Sequence, residues 1–281
     1  MTIAISLKIN DGLVLAADSA TTFVQNGPQG PVAVNVYNNA NKIFNLRKGM
    51  PIGAITWGAG SIGVASTSTL LKDLRKLLSD EGAWKLNVAD YSILEVAERL
   101  KEFIYERHYK QTFQAPAGQP EIGFIVAGYS ANGQNAEEYK IEITGDGSCK
   151  GPNPVRRPDE CGIIWSGQPE SLNRLIMGMS PLAPGLLKSE LGLADDQLTK
   201  LMRSMLPVLQ APLISPAMPL QDAIDLAEFL AEVAVQWSRF MPGAQSVGGP
   251  VEVAAISKHE GFKWIKRKYY YSRELNPAFD C

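Results

Sequence analysis

Thr2, Asp18 and Lys42 are residue types that could together activate a hydroxyl nucleophile without histidine. A threonine hydroxyl is a weak nucleophile at neutral pH and needs a neighbouring base to take its proton. If Met1 is removed, as an aminopeptidase ordinarily does before a small residue, Thr2 carries that base itself. Its free α-amine has an unperturbed pKa of about 7.7–8.0, so a fraction is neutral at physiological pH. A lysine close to the hydroxyl would favour the alkoxide and depress the amine pKa, and a carboxylate would hold that lysine in place.

These groups are far apart in sequence, so the fold must assemble them. "TIAISLKI" alternates small or polar with branched residues, "NDG" turns the chain and "LVLAAD" returns, which predicts a hairpin. Pairing across Asn10 to Gly12 places Thr2 opposite residue 19 or 20, within ~5–8 Å of Asp18. "QNGPQGPVAVNVYNNAN" reads as a Gly-, Pro- and Asn-rich loop before strands at "KIFNL" and "PIGAITW". Leu70, Leu71, Leu74, Leu77 and Leu78 predict a helix between Ser61 and Asp80, and the capping-box pattern "SILE" from Ser92 opens another towards His108.

Further strands are predicted at "EIGFIVAGY", "EYKIEIT" and "CGIIWS", followed by a helix-rich stretch from Pro169 to Phe240. Within 178–218, Pro181, Pro184, Pro207, Pro212 and Pro216 predict short helices joined by kinked loops. "PVEVAAIS" and "GFKWIKRKYYY" predict a closing hairpin, the basic run being a strand with one wet face. The order predicts sheets with helices segregated to outer faces. Length admits one large domain or two small ones, and no linker marks a boundary within 1–281.

Composition narrows the partners. A net charge of −2 from 27 basic and 29 acidic residues, well mixed, excludes the electrostatic footprint of a nucleic-acid or anionic-membrane binder. Cys149, Cys161 and Cys281 form no CxxC pair and leave an odd one, which argues for a reducing, cytoplasmic setting. The start of the chain has no basic n-region, and the most apolar helix carries Asp225, Glu228 and Glu232, so neither a signal peptide nor a membrane span is expected. His108 and His259 have no metal-ligand partner at i+4.

"TIAISLKINDGLVLAADSATT" followed by "NKIFNL" resembles the opening of a proteasome β-type subunit, a threonine-peptidase member of the N-terminal nucleophile hydrolases. That family opens on threonine, has an aspartate sixteen residues later in an "AAD" segment, and a lysine at the start of its third strand; Thr2, Asp18 and Lys42 match. "TWGAGSIG" is similar to the glycine-rich segment that forms the family's oxyanion hole, which gives that role to the Gly58 amide. "IWSGQ" resembles its Ser-Gly turn, making Ser166 the accessory serine, and "SVGGPVEV" resembles its final Ser-Gly-Gly segment, bringing in Ser246. The aspartate that the family places before that segment has no counterpart in "RFMPGAQ", and the Pro-punctuated stretch 178–218 is an insertion relative to a standard subunit.

The resemblance implies an α+β, four-layer α/β/β/α sandwich with antiparallel sheets, and amide-bond hydrolysis through an acyl-enzyme. It implies no metal or organic cofactor, a peptide or unfolded-protein substrate, homo-oligomeric assembly as a ring or an open array, and an ATPase partner. Thr21, Ala40, Phe44 and Ile55 would line the pocket beside Thr2. Two alternatives stay open: a small-molecule amidase or acylase with 178–218 as a lid, and a non-catalytic scaffold subunit that keeps Met1.

Overall fold

Central strands buried on both faces build two antiparallel sheets, and apolar residues at helical spacing cover them. The computed structural model describes residues 2–27, 30–114, 118–243 and 245–268. It begins with strands β1 (Ile3–Ile9), β2 (Gly12–Ala17), β3 (Thr21–Gly27), β4 (Gly30–Tyr37), β5 (Ile43–Asn45) and β6 (Ile52–Gly58). Short strands β7 (Ser61–Ile62) and β8 (Ala65–Ser66) lead into helices α1 (Thr67–Ser79) and α2 (Ile93–Lys101). The second helix continues through a π-helical segment (Glu102–Tyr109) into α3 (Lys110–Thr112). Strands β9 (Ile122–Gly128), β10 (Glu137–Ile143), β11 (Cys149–Pro154) and β12 (Gly162–Gly167) follow. Helices α4 (Glu170–Ile176), α5 (Ala183–Leu191), α6 (Asp195–Leu209) and α7 (Leu220–Phe240) precede β13 (Glu252–Ser257) and β14 (Gly261–Lys266).

One sheet has the order β12-β1-β2-β13-β14 and the other β11-β10-β9-β6-β5, with antiparallel neighbours in both. The first hairpin pairs Ile9 with Gly12 and Ala4 with Ala17, a register that carries Thr2 to residue 19 as predicted. Buried side chains gather in three groups. Leu70, Leu74, Val96 and Leu100 of α1 and α2 pack on Ala54, Phe124 and Ile141 of the second sheet. Leu13, Leu15, Ile55, Ile125 and Ile256 fill the space between the sheets. Ile5, Leu7, Val14 and Val253 meet Leu172 of α4 and Ala223, Ala227 and Leu230 of α7 on the far face of the first sheet. Ser66 and Ser92 cap α1 and α2, their hydroxyls accepting from Thr69 N–H at 3.1 Å and Glu95 N–H at 3.0 Å.

Several local expectations change. The stretch read as a loop from 25 to 41 contributes to the two-stranded ribbon of β3 and β4, where Phe23 and Tyr37 meet edge to face at 5.4 Å. Gly27, Gly30 and Pro31 are themselves part of the ladder, Gly27 opposite Gly30 and Asn26 opposite Pro31. The first helix starts at Thr67 rather than Ser61, and β11 was not anticipated. In the Pro-rich stretch, α6 runs for 15 residues because Pro207 falls in its last turn, where a missing N–H costs one ladder bond. Met1 and Tyr269–Tyr271 of the closing run lie outside the described residues. Among those described, no helix is long and apolar enough to cross a membrane.

Candidate active site

Asp18 follows β2, and its side chain is sealed from solvent. Its Oδ1 accepts from Ile3 N–H at 3.0 Å, and its Oδ2 from Ala20 N–H at 3.1 Å and Gly248 N–H at 2.9 Å. Lys42, immediately before β5, donates from Nζ to Oδ1 at 2.6 Å. One carboxylate thus joins the start of β1, the chain beyond β2, the approach to β13 and the lysine. Charge-assisted bonds of this kind are roughly twice as strong as neutral ones. Burial pushes the Lys42 ammonium below the ordinary lysine pKa; the charge and hydrogen bond of Asp18 oppose that shift, and Lys268 adds to it. An ammonium so placed can stabilise developing negative charge on a neighbouring oxygen.

Thr2 is buried at the head of β1, with 3 % of its surface exposed. Its carbonyl accepts from Gln168 N–H at 2.8 Å. Gly167 makes that approach possible: its φ is +98°, and a Cβ there would stand 1.9 Å from Thr2 O. The next residue, Ile3, gives its amide to Asp18, so Thr2 and the ion pair share one stretch of backbone. Ser166 is buried on β12 opposite Ala4, one residue before this crossing. Ser246, buried as well, accepts at Oγ from Gln168 Nε2 at 3.2 Å. The serine without a preceding acid in sequence is therefore held by an amide, and Gln168 reaches Thr2 with its backbone and Ser246 with its side chain.

Gly58 closes β6, and two residues earlier Thr56 gives its N–H to Lys42 O at 2.9 Å. The strand thus runs beside the lysine. Gly58 has φ +88°, and a Cβ would meet Glu121 O at 2.3 Å, so the turn out of β6 requires glycine. Among the described residues no hydrogen bond joins Gly58 to Thr2; its tie to the cluster is through β6. The exposed loop that follows packs on Thr21, whose Oγ1 lies 2.9 Å from where a Cβ of Gly60 would be. Of the expected pocket residues, Thr21 and Ala40 are partly exposed. Phe44 packs instead in the helix-covered core and Ile55 between the sheets, because pairing of β5 with β6 sends them to opposite faces.

Glu252, Lys268, Ser19 and Gln168 were missed. Lys268 Nζ lies 3.2 Å from Glu252 Oε2, next to the first ion pair, and the Lys268 side chain is 7 % exposed rather than solvated. A glutamate inside the apolar "VEVAAI" was the available signal, since an acid is rarely buried without a partner. Lys268 gave none, being one of several basic residues in "KWIKRK". Among the described residues no group of three or more His, Cys, Asp or Glu is gathered to hold a metal ion.

The chain is similar in fold to the Anbu complex from Pseudomonas aeruginosa, solved as a helical assembly, with a TM-score of 0.51 and 16 % identity over 96 % of this chain and 88 % of that one. It is likewise similar to an Anbu (Gly-1) mutant from Hyphomicrobium sp. strain MC1, with a TM-score of 0.52 and 14 % identity over 98 % and 92 % of the two chains. No family model matches the sequence, and neither does any curated protein. These findings correct the expectation of a proteasome β-type subunit: the solved neighbours are Anbu complexes. At such low identity the likeness shows the fold alone, a mixed α+β arrangement with antiparallel sheets.

Proposed function

We propose that this protein is a proteasome-like, threonine-type N-terminal nucleophile hydrolase that cleaves peptide or other amide bonds through an acyl-enzyme. The observation that carries the reading is the buried Asp18–Lys42 pair, 2.6 Å long, anchored to the backbone directly after Thr2. In this mechanism Met1 is removed and the Thr2 α-amine takes the hydroxyl proton as Oγ attacks the carbonyl carbon. The amine passes that proton to the leaving nitrogen as the amide bond breaks, leaving an ester on Thr2. Water then attacks the ester, losing a proton to the amine, and the acid departs as Oγ regains its proton. Lys42 lowers the cost of charge on Oγ and Asp18 holds Lys42. The Gly58 amide faces the oxyanion, where one such donor is worth about 3–4 kcal/mol. Ser166 and Ser246 support the amine.

The same proposal takes residues 1–281 as one domain, a four-layer α/β/β/α sandwich in which 178–218 is an added helical segment. The three buried groups, one between the sheets and one on each outer face, support it. Homo-oligomerisation is supported by the helical assembly of the Anbu neighbour. A peptide or unfolded-protein substrate and an ATPase partner belong to the proposal through the proteasome-like resemblance.

A fluorogenic peptide panel tests it. Hydrolysis by the wild type that disappears in Thr2→Ala supports the reading. Silence on every peptide, with Thr2 still labelled by a β-lactone, moves the substrate to small-molecule amides. Silence with no labelling overturns it.

A further inference from the structure

We infer that Glu252 and Lys268 are positioning residues: a second buried ion pair that clamps the two chain segments carrying Asp18 and Lys42. The catalytic part of this inference rests on the hydrolase reading above.

Lys268 holds Glu252 twice, by Nζ to Oε2 at 3.2 Å and by its backbone N–H to Oε1 at 3.3 Å, and the two side chains are 7 % and 2 % exposed. The same Nζ donates to Ser19 Oγ at 2.5 Å and to Ala40 O at 2.6 Å. Ser19 follows Asp18 directly, and Ala40 stands two residues before Lys42. Those segments are already crossed, since Ala40 N–H donates to Ser19 O at 2.9 Å, and Ser19 N–H to Gly248 O at 2.8 Å. Ser19 Oγ also donates to Pro250 O at 2.5 Å, so the knot closes on the loop before β13. One ammonium therefore grips both strands of the crossing from which the first pair projects.

Stability does not account for this arrangement. Burying each ion costs several kcal/mol, and apolar residues of similar volume often serve a core as well or better. What a buried pair supplies is geometry, and displacement by about 1 Å can cost a reaction ~100-fold in rate. The pair also sets the field at Lys42. Among the described residues the charged groups facing Lys42 are Asp18, Lys268 and Glu252: Lys268 pushes its pKa down, while Asp18 and Glu252 push it up. Lys268 in turn faces Glu252 and Asp18, which oppose the lowering that burial imposes on it.

The test reads Lys42 directly, by NMR titration of the full-length protein carrying 13C-labelled lysine, with the resonance assigned through Lys42→Met. In Lys268→Met, Lys42 should titrate higher than in the wild type; in Glu252→Gln, lower. The double variant Lys268→Met/Glu252→Gln leaves no unpaired ion and so keeps the fold. It should lose about 10- to 100-fold in kcat on the best fluorogenic amide with little change in KM. Unchanged Lys42 titration in the folded single variants, or wild-type kcat in the folded double variant, overturns the inference. If the wild type hydrolyses nothing but Lys42 shifts as stated, the hydrolase reading fails and the clamp stands. If Lys42→Met is inactive and the 252 and 268 variants change nothing, the clamp fails and the reading stands.

Discussion

Ile3 gives its backbone N–H to Asp18 Oδ1 at 3.0 Å, the same oxygen that receives Lys42 Nζ at 2.6 Å. The residue that follows Thr2 and the buried lysine are therefore fixed to a single atom. Because Asp18 also takes the amides of Ala20 and Gly248, its position is set by three stretches of chain before Lys42 is counted.

This predicts an asymmetry between the two partners. Lys42→Met leaves Asp18 its backbone donors, so the protein should fold with modest loss of stability yet lose ~100-fold or more in amide hydrolysis. Asp18→Asn leaves a buried ammonium without its counter-ion and should cost about 3–5 kcal/mol in chemical denaturation. Equal stability losses in the two variants would contradict the arrangement.

The pH dependence of stability carries the sign of the Lys42 shift. Burial, outweighing Asp18, lowers the folded-state pKa below the ordinary 10.5. Between that lowered value and 10.5 the unfolded chain binds more protons than the folded one, so the contribution of Lys42 to stability rises with pH. The unfolding free energy of the wild type minus that of Lys42→Met should therefore increase as pH climbs towards 10.5. A difference that falls over this window would mean that the ion pair, and not burial, dominates.

Gly167→Ala should be more damaging than the same change at Gly49. Its new Cβ would be forced to within 1.9 Å of Thr2 O, whereas at Gly49, with φ +77°, a Cβ meets nothing within 4 Å. Gly49→Ala should cost only the left-handed backbone penalty, about 1–2 kcal/mol. Gly167→Ala should cost ~1–3 kcal/mol beyond that and depress hydrolysis by moving Thr2. Thermal melts and kinetics of the two variants side by side make the comparison.

Gln168→Leu removes the amide at 3.2 Å from Ser246 Oγ while leaving the backbone bond from Gln168 N–H to Thr2 O. If the amide stands where an acid would support the serine, kcat should fall by about 10- to 100-fold with a melting temperature close to that of the wild type. Wild-type kinetics would make the contact structural only.

How much of this was legible follows from the range of each interaction. The Thr2–Asp18 approach could be read because a period-two pattern and an "NDG" turn fix a hairpin register locally. Lys42 could be placed only through the likeness of "NKIF", since no local rule spans the ribbon of β3 and β4, whose glycine, proline and asparagine disguised the strands themselves. Glu252 and Lys268 meet through a crossing of β13, β14 and the segments at Ser19 and Ala40, a tertiary event that local patterning does not encode. For Ser246, the missing acid was visible in the sequence; the amide of Gln168, 78 residues away, was not.

The central claim is that Thr2, freed of Met1, is the nucleophile. Intact-mass analysis of the purified protein before and after treatment with a β-lactone probe, with peptide mapping of the adduct, tests it most directly. The mass should lack Met1, with a single adduct on Thr2 in the wild type and none on Thr2→Ala. A mass that retains Met1, or equal labelling of the wild type and Thr2→Ala, would contradict it.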